Sequence, residues 1–409
     1  VGAPAAGAGR LIDWAAIRAD HPGAVGRAYL DTSCKGLPSG AAVAAVAAHL
    51  DRLRESPGSS ATGETVAMLD QFERARAAAA RLIGASRREI ALVPSTAEGI
   101  AALARSLPLE RGANVVASDL EFAGGLLPWA GAGCELRFAP HRGGVVEVAD
   151  LEAAIDRRTA AVVISSVQEL NGFRVDLDGL VEACHRRGVL VVVDGIQQVG
   201  RIEIDVAATG VDALAVGGHK WLGAPFGMGF LYVSAALFER LRPPARSLMT
   251  ALPPGGGWDA YLESAARHPG DELAFPDDAR RLEAAALGTT ISAAGLAAAI
   301  EVLLEIGVGA IEERSAGLLD RAREALEACG AEVLTPASSA PTSILTFRTS
   351  TDVDDDRELV RALAEASVLT SLRGSTGIAG IRVSPFLYND EHDVDLLARI
   401  VGRRLRRPR

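Results

Sequence analysis

At 409 residues the chain is too long for a peptide or a small disulfide scaffold, and it allows two domains or one large α/β unit with an appendage. Apolar residues make up 49% and charged residues 23%, enough for a large core under an ordinary charged surface, which excludes long disorder. Lys and Arg total 42 against 52 Asp and Glu, a net charge of −10; this is the wrong sign for binding nucleic acid over the whole surface, so an anionic small molecule needs a local basic pocket.

The opening VGAPAAGAGR has no basic stretch and no long apolar core, and no run of about 18 uncharged apolar residues follows, so neither secretion nor membrane insertion is expected. Cys34, Cys134, Cys184 and Cys329 are widely spaced and form no CxxC pair. A disulfide framework or zinc knuckle is therefore not indicated, and a reducing, cytoplasmic setting fits. From about residue 90 to 233, short β-rich runs alternate with Ala-rich amphipathic stretches, the pattern of a mostly parallel sheet with crossover helices. The predicted strands are 114–117, 161–167, 189–194, 213–216 and 229–233; AVVISSV and VLVVVD are apolar on both faces, as buried parallel strands are. Between them DGLVEACHRRG reads as a helix with Asp178 at its start and Gly188 closing it.

From 242 to 281 the pattern dissolves into a stretch dense in Pro and Gly, and a loop this long is functional or a linker. A long amphipathic helix is predicted from Ser292 to the 320s, then strand SILTFR, a helix near 357–366, strand IRVS and a final helix from Glu391. This divides the chain into a large α/β domain, 31–275, and a smaller α+β domain formed by 1–30 and 276–409.

VLVVVDGIQQ puts Asp194 at the carboxyl end of a buried strand, where open α/β sheets bind their ligands. Lys220 follows the next strand, in ALAVGGHKW, and the spacing leaves room for the right-handed crossover, so both side chains can emerge at one sheet edge. An acid and an amine placed like this suit pyridoxal phosphate: Lys220 as the Schiff-base lysine, Asp194 keeping the pyridine nitrogen protonated. Taken alone, Lys220 also reads as a solvated loop lysine and His219 as a partly buried histidine satisfied by backbone. VPSTAEGIAALARSL supplies a strand end, a Ser95/Thr96 turn and a helix, which is how backbone N–H groups bind phosphate. Ser95 and Glu98 also match a simple capping box.

The segments AYLDTSCKGLP (28–38), STAEGI (95–100), LEFAGGLLPW (120–129), SSVQELNG (165–172), VVVDGIQQVG (191–200), GGHKWLGAPFGMGFLYV (217–233) and IRVSPFLYND (381–390) together resemble the class V aminotransferases of the fold-type I pyridoxal-phosphate enzymes. That group includes cysteine desulfurases and isopenicillin N epimerase-like proteins. The resemblance covers most of the chain. It implies an α/β fold with a mostly parallel central sheet in a large domain and a smaller α+β domain. It implies Lys220 as the Schiff-base lysine, Asp194 as the pyridine-nitrogen partner, Gln197 on the ring hydroxyl, and Thr96 with His219 on the phosphate, beside Ser95 and Ala97. Phe122 stands where many relatives stack a histidine on the pyridine; it can stack but cannot transfer a proton, or it is simply a core aromatic. Arg382 corresponds to the arginine that grips the substrate's α-carboxylate, a task its planar fork suits, and it implies a small amino-acid substrate.

Departures from the family pattern are informative. Ala97 replaces a second phosphate-binding hydroxyl and Gly217 a serine of many desulfurases, so backbone amides carry more of the phosphate. RRLEAAALGTTISAAG resembles the segment that relatives donate to the neighbouring subunit's phosphate, with Thr289 or Thr290 as candidates and Ala286 at the usual position; this implies a homodimer with shared sites. Desulfurases carry a mobile, sulfur-accepting cysteine shortly before the IRVS-like strand, but SLRGSTGIAGIRVS holds none. Cys34 is either a substitute thiol near the substrate or a small buried residue, the latter being the usual state of a free cysteine. Glu169 replaces a neutral or apolar residue; it assists proton transfer, binds a cationic substrate group, or pairs locally. With Arg382 kept and the cysteine missing, the leading expectation is β-elimination from a cysteine-derived substrate by a carbon–sulfur lyase. The alternatives are an amino-acid epimerase or an aminotransferase, or, from another class, a non-catalytic binding protein of the same fold.

Overall fold

The computed structural model describes residues 11–242, 247–283, 287–339 and 341–406. Along them the strands are β1 (Ala28–Tyr29), β2 (Ile90–Val93), β3 (Asn114–Ser118), β4 (Glu135–Ala139), β5 (Thr159–Ser165), β6 (Leu190–Asp194), β7 (Ala213–Gly217), β8 (Gly229–Val233), β9 (Glu332–Val333), β10 (Leu345–Arg348), β11 (Val368–Leu369), β12 (Ser371–Ser375) and β13 (Ile378–Val383). β2 to β8 make one seven-stranded sheet in the order β2-β8-β7-β6-β5-β3-β4. β3 to β7 pair in parallel, and β8 alone runs against its neighbours β7 and β2. β5 and β6 are buried on both faces, which is why their sequences carry no polar alternation.

The two faces of the sheet differ in the size of their side chains. One carries Val162, Ile164, Val191, Val193, Leu214 and Val216 and is covered by helices that include Asp70–Leu82 and Thr290–Ile306. The other carries Ala91, Ala117, Ala161, Ala213 and Ala215. Small residues there let the helix Thr96–Ser106 sit close to the sheet, which carries its first turn to the carboxyl edge.

β12, β13, β10 and β9 form a second, antiparallel sheet, and β1 pairs in parallel with β11 beside it. Its core, with Leu319, Phe347, Leu359, Ile381 and Leu397, is separate from those of the large sheet, as expected for an α/β chain with a smaller α+β unit. Helix Thr290–Ile306, placed in the smaller domain by the sequence reading, packs instead into the core under the large sheet through Ala293, Leu296, Ala297 and Ile300. Among the described residues no single helix is long and apolar enough to cross a membrane.

Several boundaries move. The helix expected as one element from Ser292 to the 320s is two, Thr290–Ile306 and Val308–Ala328, bent by 78°. Gly307, at φ 91°, takes a left-handed turn that a side chain would strain, and so ends the first helix. The helix after β5 is Leu177–His185, capped by Asp176, which accepts from the Gly179 N–H at 3.1 Å; Asp178 lies inside its first turn. β4 escaped sequence reading because it is an edge strand, ELRFA, largely open to solvent.

Candidate active site

The carboxyl ends of β2, β3, β5, β6 and β7 point the same way, and the segments that follow them converge. Asp194 ends β6, is buried, and accepts from the Ile196 N–H at 2.9 Å. Burial pushes its carboxyl up to about 6, while Lys220 pulls it down. Lys220 lies just beyond β7; burial pulls its ammonium down, and Asp194 is the strongest group holding it up. Acid and amine thus lie at one edge of the sheet, each within electrostatic reach of the other. The segment after β1 lies across the Lys220 turn, with Gly36 N–H donating to the His219 carbonyl at 2.9 Å.

At the start of the helix Thr96–Ser106, Ser95 Oγ accepts from the Glu98 N–H at 3.2 Å; among the described residues the return bond of the expected capping box is not made. Thr96 is buried, yet its Oγ1 has no partner among the described residues. A Cβ built on Gly217 would lie 3.2 Å from Thr96 Oγ1 and 3.2 Å from His219 Cε1, so both groups converge on the bare backbone of that glycine. His219 stacks on Phe226 with centroids 5.1 Å apart, and burial lowers its imidazole's affinity for a proton. Phe122 is 59% exposed, which removes the core-aromatic reading; its ring flanks Gly124, as does Ala97.

Gln197 is buried, accepts from the Trp221 indole N–H at 2.9 Å and donates to the Ser33 carbonyl at 3.1 Å, so its amide ties the amino-terminal segment to the Lys220 turn. Arg382, on β13, is 1% exposed. It donates from Nη1 to the Glu169 carbonyl at 2.9 Å and to the Glu169 carboxylate, and Nη2 lies 3.5 Å from Asp31 Oδ1. Glu169 therefore pairs with the candidate substrate arginine. Cys34 is exposed, contrary to the buried reading, because the turn after β1 carries it past the edge of the core; it bears electrostatically on both Lys220 and Arg382. Thr290 is buried and bonded to His49 Nε2 at 3.0 Å inside its own chain, which removes it as a residue donated to a neighbour. Thr289 sits at the head of the same helix, and Ala286 lies outside the described residues.

Three groups escaped the sequence reading. Glu121 turns inward to accept from Ser165 N–H (2.9 Å), Ser165 Oγ (2.6 Å) and Gln168 Nε2; burial pushes its carboxyl up to about 7. It is adjacent to Phe122 in LEFAGGLLPW, and a carboxylate just past a parallel strand was the available signal. Asp31 and Arg373 join the Arg382 cluster through pairings that sequence spacing does not reveal.

The Aminotransferase class-V family model matches residues 28–397. The chain is 29% identical over 301 residues to a probable cysteine desulfurase of Methanothermobacter thermautotrophicus, covering 73% of this chain and 72% of that one. It is 29% identical over 402 residues to isopenicillin N epimerase of Streptomyces clavuligerus, covering 93% and 97%. In fold it resembles the apo cysteine desulfurase from Thermococcus onnurineus NA1, with TM-score 0.83, 22% identity, and coverage of 96% and 98%. It also resembles the cystine C–S lyase C-DES solved with its product cysteine persulfide, with TM-score 0.81, 20% identity, and coverage of 93% and 99%.

Proposed function

The chain belongs to the class V aminotransferase family, whose cofactor is pyridoxal phosphate, and from that membership we propose that it is a carbon–sulfur lyase, cleaving a cysteine-derived amino acid by β-elimination without storing sulfur on a cysteine of its own. The residues present fit the cofactor. The unpartnered, buried Thr96 Oγ1 faces the bare backbone of Gly217 at a helix N-terminus, as a phosphate requires, and Asp194 is a buried carboxylate beside an amine of lowered proton affinity. When bound, the cofactor supplies an aldehyde for amine exchange and a ring that withdraws electrons from the substrate's Cα.

In this reading Thr96, the amides of residues 96 and 97 and His219 would hold the phosphate, Phe122 would offer an aromatic face to the ring, and Asp194 would keep the ring nitrogen protonated. Lys220 would be the amine that holds the cofactor, and its lowered proton affinity suits Nζ to take the substrate's Cα proton. Arg382 orients the substrate through its α-carboxylate.

The observation that carries the lyase reading is the β12–β13 hairpin. Ser375 pairs with Ile378, and Thr376 and Gly377, at φ 49° and 82°, close a two-residue turn. Where desulfurases carry a mobile cysteine, this chain has a tight, cysteine-free hairpin. Cys134 and Cys184 are buried and Cys329 follows the helix Val308–Ala328, so Cys34, exposed after β1, is the thiol nearest the site, and the lyase reading requires that it accept no sulfur. Sulfur then leaves with the product, and the remaining fragment hydrolyses to pyruvate and ammonia. The test is a panel of S-substituted cysteines: release of thiol and pyruvate in equal amounts supports the reading, and no release from any member sinks it.

A second reading is epimerisation, favoured by Cys34, an exposed thiol on the turn after β1 that is felt electrostatically at Lys220 and Arg382 and is the candidate second proton donor. It requires exchange of the Cα hydrogen with solvent deuterium and no loss of substrate. Transamination instead would consume a keto acid at each turnover. We also infer a homodimer, as membership of the family suggests, with the exposed apolar Leu127 and Phe226 as candidate contacts; sedimentation equilibrium decides the point.

A further inference from the structure

The α-carboxylate reading of Arg382 meets a difficulty inside the chain, since two carboxylates already surround that guanidinium. We propose that Glu169 is a displaceable internal counter-ion, which neutralises Arg382 in the resting enzyme, yields it to the incoming substrate carboxylate and passes to Arg373. This rests on the assignment of Arg382 to the substrate carboxylate made above.

An arginine 1% exposed needs an anion at all times, because an unpaired buried charge is costly. Of its two partners only one is free to leave. Asp31 is fixed by the Ser371 hydroxyl at 2.9 Å and by a backbone bridge to Ser384, and it meets Arg382 at the longer distance of 3.5 Å. The Glu169 side chain is 24% exposed, and its described partners are two arginines. Besides Arg382, its Oε2 lies 3.9 Å from Arg373 Nε, on the neighbouring strand β12. A rotation about the side-chain bonds moves the carboxylate to Arg373 while the Glu169 carbonyl keeps its 2.9 Å bond to Arg382 Nη1. Arg382 Nε, buried and unpartnered among the described residues, offers a further donor to the arriving carboxylate.

Substrate binding thereby becomes an exchange of one carboxylate for another. An amine without a carboxylate cannot drive the exchange, so Glu169 acts as a selectivity filter as well as a placeholder. The exchange also changes the charge next to Lys220, which feels both Arg382 and Glu169.

The test uses 3-(methylthio)propionate, a carboxylate with no amine to react, titrated calorimetrically into the holoenzyme. Glu169→Gln and Glu169→Ala should each bind it about tenfold more tightly than wild type, and Arg373→Met about threefold more weakly. Arg382→Met should not bind it. In turnover, Glu169→Gln should lower KM by a larger factor than it changes kcat. If Arg382→Met abolishes binding but neither Glu169 variant binds more tightly, the displacement is wrong and the carboxylate site stands. If Arg382→Met binds like wild type, the assignment of Arg382 falls, and the counter-ion with it. Absence of binding even in the Glu169 variants also overturns the proposal. The visible spectrum of each holoenzyme confirms that the site is assembled.

Discussion

Gly36 lies so close to Lys220 that a Cβ built on it would fall 1.9 Å from the lysine's carbonyl oxygen. The amino-terminal segment is therefore laid directly on the backbone of the Lys220 turn. A methyl group at this point has no flexible neighbour to push aside. We expect Gly36→Ala to lose about 2–4 kcal/mol of stability and to loosen the Lys220 turn, lowering activity at least about tenfold. Urea unfolding and steady-state rates check this. Wild-type values of both would mean that the segment does not cover the turn.

Lys220→Ala separates cofactor capture from fold. The wild-type protein should show a visible band with pyridoxal phosphate that borohydride removes, and the variant should keep its circular dichroism yet form no such band. Turnover should fall about 10²–10⁴-fold. A borohydride-sensitive band of wild-type strength in the variant would point to another amine.

Thr96→Val tests the phosphate end. The hydroxyl is buried and has no partner among the described residues, so its removal should leave the melting temperature of the cofactor-free protein unchanged or slightly raised. Affinity for pyridoxal phosphate should drop by about tenfold, read from the absorbance titration. A variant that is destabilised without cofactor but binds it normally would make the hydroxyl structural.

Glu121 gives the protein a pH signature. Burial raises its carboxyl from 4.5 to about 7, so the folded state holds this proton more tightly than the unfolded chain does. The resulting stabilisation is complete below pH 4.5 and is lost as the pH rises to about 7. Asp194, raised from 3.8 to about 6, adds to the same slope. Glu121→Gln keeps bonding capacity toward Ser165 and removes one contribution, so the melting temperature of the variant relative to wild type should rise between pH 4.5 and 7. Curves that run parallel through that window would show that Glu121 is ionised throughout.

Much of the fold and the centre of the site were legible in one dimension. Doubly apolar runs such as VLVVVD are legible because a strand buried on both faces admits no polar alternation, and Asp194 and Lys220 follow from the rule that parallel strands share a carboxyl edge. Phe122 and Thr96 were legible through the motifs around them. The open edge strand β4 and the break at Gly307 were not, since a polar edge strand resembles a loop and a single glycine inside a helical pattern does not announce its φ.

By itself, the sequence determined the α/β architecture, the acid and amine at one sheet edge, and the missing cysteine before the IRVS strand, because each is a local pattern or a consequence of strand direction. Only the tertiary structure decided who pairs with whom. Arg382 meets Glu169 and Asp31 from distant segments, Glu121 turns under the sheet edge, Thr290 is spent on His49, and Cys34 stands exposed. The reason is physical: the cost of a buried charge or hydroxyl depends on the groups that folding brings within bonding distance, and sequence separation carries no record of that distance.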